Sequence, residues 1–432
     1  MSDSLFRSPA FLSNAVICEV NIRQYSPEGT FNAFAKHLPR LKDLGVDILW
    51  LMPIHPIGKE KRKGTLGSYY SISDHKAVNP EFGNEDDLRS LITKLHALGM
   101  KIIFDWVANH TAWDHVWTKT NPEFFVRNEQ GSFTAPYDWD DVIQIDHSNE
   151  NQQAAMQDAM QYWIEDFHID GFRADLAHLT PLKFWKDVRL KLTPLKKDLI
   201  WLAESEEISY HEAFDISYTW EWMHATEKFA KKEITLKACM EVLKKYATDF
   251  PETALRLFFT SNHDENSWNG TEYEKYGVLA QALVVFSFTY PGIPLIYSGQ
   301  ELPNLKRLKF FDKDLIEWNR DIQLQNFYKT LSELRKRNKA IGAGTATELH
   351  FFEEFAEQNI LGYQLSTGEA GLLVVLNMGT EDVSQHIFSE SIKGCFRDVF
   401  TGEETELQHE YLFSAKAGEF KVLERIVPTD LH

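Results

Sequence analysis

Four short stretches bring ionisable residues together where apolar runs end. Asp105 follows one run and is itself followed by Asn109 and His110. Gly171-Phe-Arg173-Ala-Asp175 closes a second, Ala203-Glu204 a third, and Ser261-Asn-His263-Asp264 a fourth. Four carboxylates, an arginine and two histidines make up the equipment of acid–base and carboxylate chemistry. A carboxylate at one strand end is ordinarily solvated or capping, but a set drawn from segments so far apart in the chain points to one site. No HExxH or other close metal pairing occurs among the 16 histidines, which argues against catalytic zinc.

The elements that must position these residues repeat a single unit. In TFNAFAKHLPRLKDLGVDILWL, Phe31, Phe34, Leu38, Leu41 and Leu44 recur at helical spacing, Gly45 ends the helix, and a buried strand follows. NEDDLRSLITKLHALGMKIIF repeats the pattern, with Asn84 as cap and Gly99 as stop. Continued along the chain, it predicts strands at 16–21, 46–51, 101–105, 171–175, 199–203, 213–217, 257–262 and 294–298. Helices are expected at 150–167, 181–192, 220–247 and 273–288. Eight strands alternating with helices favour a closed (β/α)8 barrel over an open sheet. No GxGxxG or GxxxxGK[ST] follows a strand, which weakens nucleotide-binding alternatives. Residues 111–148 form a loop-rich insertion after the third strand. Beyond about residue 345, NILGYQLST, AGLLVVLNM, CFRDVF and EFKVLERI read as short alternating antiparallel strands. The expected domains are a barrel at 1–340, including the insertion as a small subdomain, and an antiparallel β-sandwich at 341–432.

Composition narrows the partners. Forty-five Lys and Arg against 64 Asp and Glu leave a net charge of −19 over 432 residues. That balance disfavours nucleic acid and anionic membrane, and mainly favours solubility. Three distant cysteines, Cys18, Cys239 and Cys395, offer no disulfide framework. MSDSLFRSPAFLSNA lacks the basic and apolar stretches of a signal peptide, and no apolar run is long enough to span a bilayer. The expected compartment is the cytoplasm; oligomeric state is left open.

DWVANH, GFRADLAHL, LAESEE and FTSNHDENSW resemble, in order and spacing, the four short motifs of the α-amylase family of glycoside hydrolases. GSYYSISDHKAVNPEFG resembles that family's segment after the second strand, and PGIPLIYSGQE its eighth strand. The resemblance spans about residues 15–335, and the insertion and terminal module take the places of the family's B and C domains. It implies a retaining α-glycosidase acting on starch-type or maltooligosaccharide substrates. By that resemblance Asp175 is the nucleophile, Glu204 the general acid/base and Asp264 the third carboxylate, which stabilises the oxocarbenium-like state. Arg173, two residues before Asp175 and on the same face, is expected to keep that carboxylate ionised. His110 and His263 match residues that bond the hydroxyls of the cleaved sugar, and Tyr70 the ring on which that sugar stacks. Asp105 is expected to brace Arg173 rather than touch substrate. Trp139, Trp220 and Trp268 are candidate outer sugar platforms, with packing the role of at least half.

The chain also departs from the family. Positions three and four after the nucleophile, often Lys and His, are His178 and Leu179 here. No cofactor is required by this reading. A structural calcium would need Asn109 with Asp138, Asp140, Asp141 or Asp146, a doubtful set. VIQID at 142–146 matches neither common form of the motif that sorts α-1,6 from α-1,4 linkages. A transglycosylase or isomerase would use the same residues, and a non-catalytic amylase-like binding protein is the remote alternative.

Overall fold

The computed structural model describes residues 6–318, 321–343 and 347–426. Eight parallel strands close into a barrel: β1 Ile17–Val20, β2 Ile48–Leu51, β3 Lys101–Trp106, β4 Gly171–Ala174, β5 Ile200–Ala203, β6 Ile216–Tyr218, β7 Leu255–Phe258 and β8 Ile293–Tyr297. They neighbour one another in chain order, and β1 closes on β8. Alternate residues face inward. Ile17, Ile48, Trp50, Ile103, Leu202, Ile216, Tyr218, Leu257 and Leu295 pack together inside the barrel. Above them in the same inward register come Glu19, Asp105 and Arg173, all buried. Apolar layers thus fill the barrel floor, and the polar residues are confined to the C-terminal ends of the strands.

Local signals explain most of the boundaries. Asn84 and Asp87 form a reciprocal capping box at the start of helix Glu85–Ala97, and Gly45 ends helix Leu38–Leu44 in a left-handed conformation. Helices Glu150–Phe167 and Leu182–Leu192 lie where expected. Two predicted helices are broken instead. The 220–247 stretch forms Trp220–Ala230 and Leu236–Asp249, separated at Lys232, whose φ is 61°, and restarted by the Thr235 cap. The 273–288 stretch divides into Glu272–Tyr276 and Ala280–Thr289, because Gly277 takes a φ of 55°. The β6 strand starts later than expected. Asp215, just before it, is spent on the Arg189 guanidinium at 2.6 Å and the Trp201 amide at 2.9 Å.

After β3 the chain forms a small antiparallel pair, His110–Ala112 with Val142–Gln144, around a short helix Val116–Thr120. The C-terminal region forms a six-stranded antiparallel sheet and a two-stranded one, Val383–Phe388 with Glu410–Ala415. Strands Ile360–Thr367 and Ala370–Asn377 are buried on both faces. Leu361, Tyr363, Leu365, Leu372 and Val374 join the core around the barrel helices, whereas Ile360, Leu373 and Val375 pack with Ile387 and Phe413. The alternation read in the sequence therefore sorts two apolar cores, not core from solvent. Residues 1–5 and 427–432, the ends of the expected domains, lie outside the described residues. Among the described residues no helix is long and apolar enough to cross a membrane.

Gly171 shows how tightly the site depends on the sheet. A Cβ there would lie 2.0 Å from the Ile200 carbonyl oxygen, so β4 reaches its distance from β5 only without a side chain. Arg173 follows on the same strand and Asp175 directly after its end. Gly171→Ala is expected to cost on the order of 3 kcal/mol in denaturant unfolding, through a backbone contact that side-chain motion cannot relieve.

Candidate active site

The barrel mouth is organised around one arginine. Arg173, fully buried at the end of β4, places Nη1 2.8 Å from Asp105 Oδ1 and 3.0 Å from Asp175 Oδ1. Its Nη2 lies 2.8 Å from Glu204 Oε2. The guanidinium also lies over the Trp50 ring, 4.8 Å from its centroid, and its Nε donates to the Tyr218 hydroxyl at 3.3 Å. Asp105 is held in turn, with Oδ2 accepting from Trp50 Nε1 and from the Tyr70 hydroxyl, each at 3.0 Å. Among the described residues the hydrogen-bond partners of Asp105 are Arg173, Trp50 and Tyr70.

Glu204 directly follows β5; its Oε2 is paired with Arg173 by charge and accepts a hydrogen bond from the Leu176 amide at 2.8 Å. That amide is aimed by an unusual turn, for Leu176 has a φ of 40° directly after Asp175. A branched residue in the left-handed region is strained, and here the strain supplies a donor to a buried carboxylate. Nothing in the sequence marks this residue.

The electrostatics differ from the simple expectation for Asp175. Burial pushes its carboxyl well above the usual range; Arg173 pulls it down, and the charges of Glu204, Asp105 and Asp264 push it up again. The arginine does not prevail, because burial outweighs its pull and the neighbouring carboxylates add to burial. Burial raises Glu204 as well, against the pull of Arg173. The two carboxyls therefore titrate as one pair on a common cation and retain a proton above the ordinary carboxylate range.

The two histidines are in opposite states. Burial pushes His110 down to about 4, leaving a neutral ring beside Trp139. Burial also works against a charge on His263, but Asp264 and Glu19 outweigh it and hold the ring well above its usual range. His263 Nε2 lies 3.2 Å from Asp264 Oδ2 and 2.8 Å from the Tyr70 hydroxyl, and Nδ1 lies 2.5 Å from Glu19 Oε1. Burial likewise disfavours the Asp264 charge, yet His263 outweighs it, so this half-exposed carboxyl stays below the ordinary range. The Tyr70 ring lies near-parallel to His263 and to Phe310, with centroids 5.3 and 6.3 Å away. Its hydroxyl bonds to Asp105 and His263, joining two motifs in a way the sequence does not announce. Glu19 is a second residue that sequence reasoning missed; the only available signal was a charge inside the apolar run VICEV.

The mouth is flanked by exposed aromatic rings. Tyr137, 71% exposed, lies 5.0 Å from Trp139 beside a cleft lined by Asn109, Pro136, Gln144 and Leu179. Trp268, 52% exposed, leans on Phe310 at 5.4 Å. Trp220 instead packs against Phe259 and His224.

The donors available for a calcium do not converge. Asp140 and Asp141 both pair with Lys63, at 2.8 and 3.0 Å, Asp146 turns to Ser148, and the Asn109 amide faces His110. Among the described residues no group of three His, Cys, Asp or Glu side chains is placed to hold a metal ion. This donor set does not fit the ion.

The α-amylase catalytic-domain family model matches residues 13–143 and 126–342. The chain is 26% identical over 395 residues to α-amylase MalA of Haloarcula japonica, covering 87% of this chain and 57% of that protein. It is also 26% identical to the α-1,4-glucan:maltose-1-phosphate maltosyltransferase of Rhodospirillum rubrum, covering 81% and 54%. The chain thus spans little more than half the length of these two curated relatives. The crystal structure of a maltogenic α-amylase, AmyB of Thermotoga neapolitana, superimposes with a TM-score of 0.87 at 29% identity, covering 96% of this chain and 99% of that one.

If Arg173 is the shared counter-ion, replacing it should destabilise the chain in a pH-dependent way. Asp175 and Glu204 already titrate above the unfolded-state range, so above about pH 4 these two groups hold more protons in the folded chain than in the unfolded one. Their contribution to stability is lost as pH rises through the raised values, and removing the guanidinium widens the gap. Arg173→Met is expected to cost about 3–5 kcal/mol at pH 8 and clearly less at pH 5 in denaturant unfolding.

Proposed function

The chain belongs to the α-amylase family of glycoside hydrolases, and we propose that it hydrolyses α-glucosidic bonds of maltooligosaccharides and starch-type glucans by double displacement. The observation that carries this reading is the placement of Asp175 and Glu204 on adjacent nitrogens of one guanidinium, at 3.0 and 2.8 Å. A guanidinium is a short, rigid fork, so two carboxyls gripped by it are held close. That supports the spacing of about 5 Å used by retaining enzymes over the wider one that leaves room for a water.

Cleavage of a bond between neutral sugars needs one ionised carboxyl and one protonated one, and burial raises both members of this pair, which favours keeping a proton between them. Asp175 attacks the anomeric carbon as the glycosidic C–O bond breaks, and the leaving oxygen takes the Glu204 proton. Water then attacks the glycosyl ester, gives its proton to Glu204 and releases Asp175. Asp264, kept ionised by His263, faces the positive charge that develops on the sugar. Neutral His110 bonds its hydroxyls, charged His263 stands beside Asp264, Tyr70 offers a flat apolar face, and Arg173 stays behind the reacting carboxylates. Trp139 with Tyr137, and Trp268, extend the groove as outer platforms. No resident metal enters this reading, and the unpaired thiols of Cys18, Cys239 and Cys395 suit a reducing cytoplasm.

A second reading, transfer of the glycosyl group to a sugar hydroxyl, draws on the maltosyltransferase relative. It uses the same residues and differs only in the acceptor.

Chromatography of products from maltose to maltoheptaose, cyclodextrin, pullulan and starch separates the two readings. Shorter oligosaccharides with rising reducing ends support hydrolysis; longer or rearranged products support transfer. Asp175→Asn and Glu204→Gln are each expected to lower kcat/KM by at least about 10³-fold. A fluorinated glycosyl trap should leave a covalent adduct on Asp175 detectable by mass spectrometry. No adduct together with no turnover by the wild type would support the non-catalytic alternative.

A further inference from the structure

Glu19 has no place in the chemistry above, yet it is fully buried in the barrel mouth. It sits on β1 beside Trp50 of β2 and Tyr297 of β8. A carboxylate taken out of water is costly unless it is paired, so its position needs an explanation. Its Oε1 meets His263 Nδ1 at 2.5 Å, and Oε2 has no hydrogen-bond partner among the described residues.

Hydrogen-bond accounting around His263 fixes the state of the ring. The Tyr70 hydroxyl has one proton and faces two groups, the Asp105 carboxylate at 3.0 Å and His263 Nε2 at 2.8 Å. A carboxylate accepts only, so the phenol proton goes to Asp105 and the phenol oxygen accepts from the imidazole. Asp264 Oδ2, 3.2 Å from the same Nε2, is a second acceptor. Nε2 therefore carries a proton. At the other end Nδ1 faces Glu19, whose carboxyl burial pushes up while His263 pulls it down; paired as a carboxylate, it calls for a proton on Nδ1 as well. Other groups also face the pair. Arg173 and Glu204 lie across the mouth, Tyr218 and Tyr297 stand beside Glu19, and the Trp50 and Phe310 rings flank His263.

We propose that Glu19 is a positioning residue that holds His263 as an imidazolium, with Nε2–H on the Tyr70 hydroxyl and its charge 3.2 Å from Asp264. Through that ring it keeps the third carboxylate ionised and in place. The relay runs from β1 through the imidazole to the carboxylate in the turn that follows β7, so segments from two strands that are not neighbours in the barrel act on one group at the mouth. Its catalytic consequence rests on the hydrolase reading above, whereas the charge state of His263 can be measured independently of it.

The test is Glu19→Gln, which keeps shape and removes charge, read three ways. In ¹⁵N-histidine-labelled protein, with His263→Gln used for assignment, both His263 nitrogens should show imidazolium shifts up to at least pH 8 in the wild type. In Glu19→Gln they should show a neutral ring at that pH. On maltooligosaccharides, kcat should fall on the order of 10–100-fold with a smaller change in KM, and the alkaline limb of the pH profile should move to lower pH. Adding Glu19→Gln to His263→Gln should move neither kcat nor the pH profile further. A neutral His263 in the wild type, or a Glu19→Gln variant that loses stability but keeps the wild-type pH profile, would overturn the proposal. Imidazolium shifts in a wild type without turnover would leave the relay standing and sink the hydrolase reading instead.

Discussion

Arg173 lies buried at the barrel mouth with the carboxylates of Asp105, Asp175 and Glu204 around it. Three anions and one cation in a poorly hydrated space make an arrangement that neither member could hold alone. Without the guanidinium the carboxylates would repel one another and take up protons; without them the guanidinium would be a charge stranded in an apolar interior. The apolar layers below and the close approach of β4 to β5 at Gly171 fix where that cation stands. Burial also explains why Asp175 is not simply kept ionised: it raises Asp175 and Glu204 against the pull of the guanidinium, and the neighbouring carboxylates add to it for Asp175.

The histidines show how environment assigns opposite states to one side-chain type. His110 lies among uncharged neighbours, and burial strips it of its proton. His263 is no less buried, but carboxylates face both ends of its ring. The centre thus contains a neutral imidazole and a charged one on different motifs.

Much of this was legible in the sequence because barrel strands announce themselves. Buried parallel strands are apolar throughout, so the charged residue that ends each one stands out, and Asp105, Arg173, Asp175, Glu204 and Asp264 were found that way. The missed residues carry their information in three dimensions. Glu19 looks like an anomaly in β1 until β7 brings His263 to it. The Leu176 amide acts through a backbone angle that leucine does not advertise. The helix break at Lys232 has no glycine or proline to mark it, whereas Gly277 offered a signal that the surrounding apolar periodicity masked. In the C-terminal sheet, alternation alone could not say that both faces would be covered.

Stereochemistry at the anomeric carbon bears most directly on the central claim, that one guanidinium holds Asp175 and Glu204 close enough for two successive displacements. Proton NMR of the first product formed from an α-linked maltooligosaccharide, recorded before mutarotation, should show the α-anomer. Initial release of the β-anomer would mean a single displacement by water and would contradict the account.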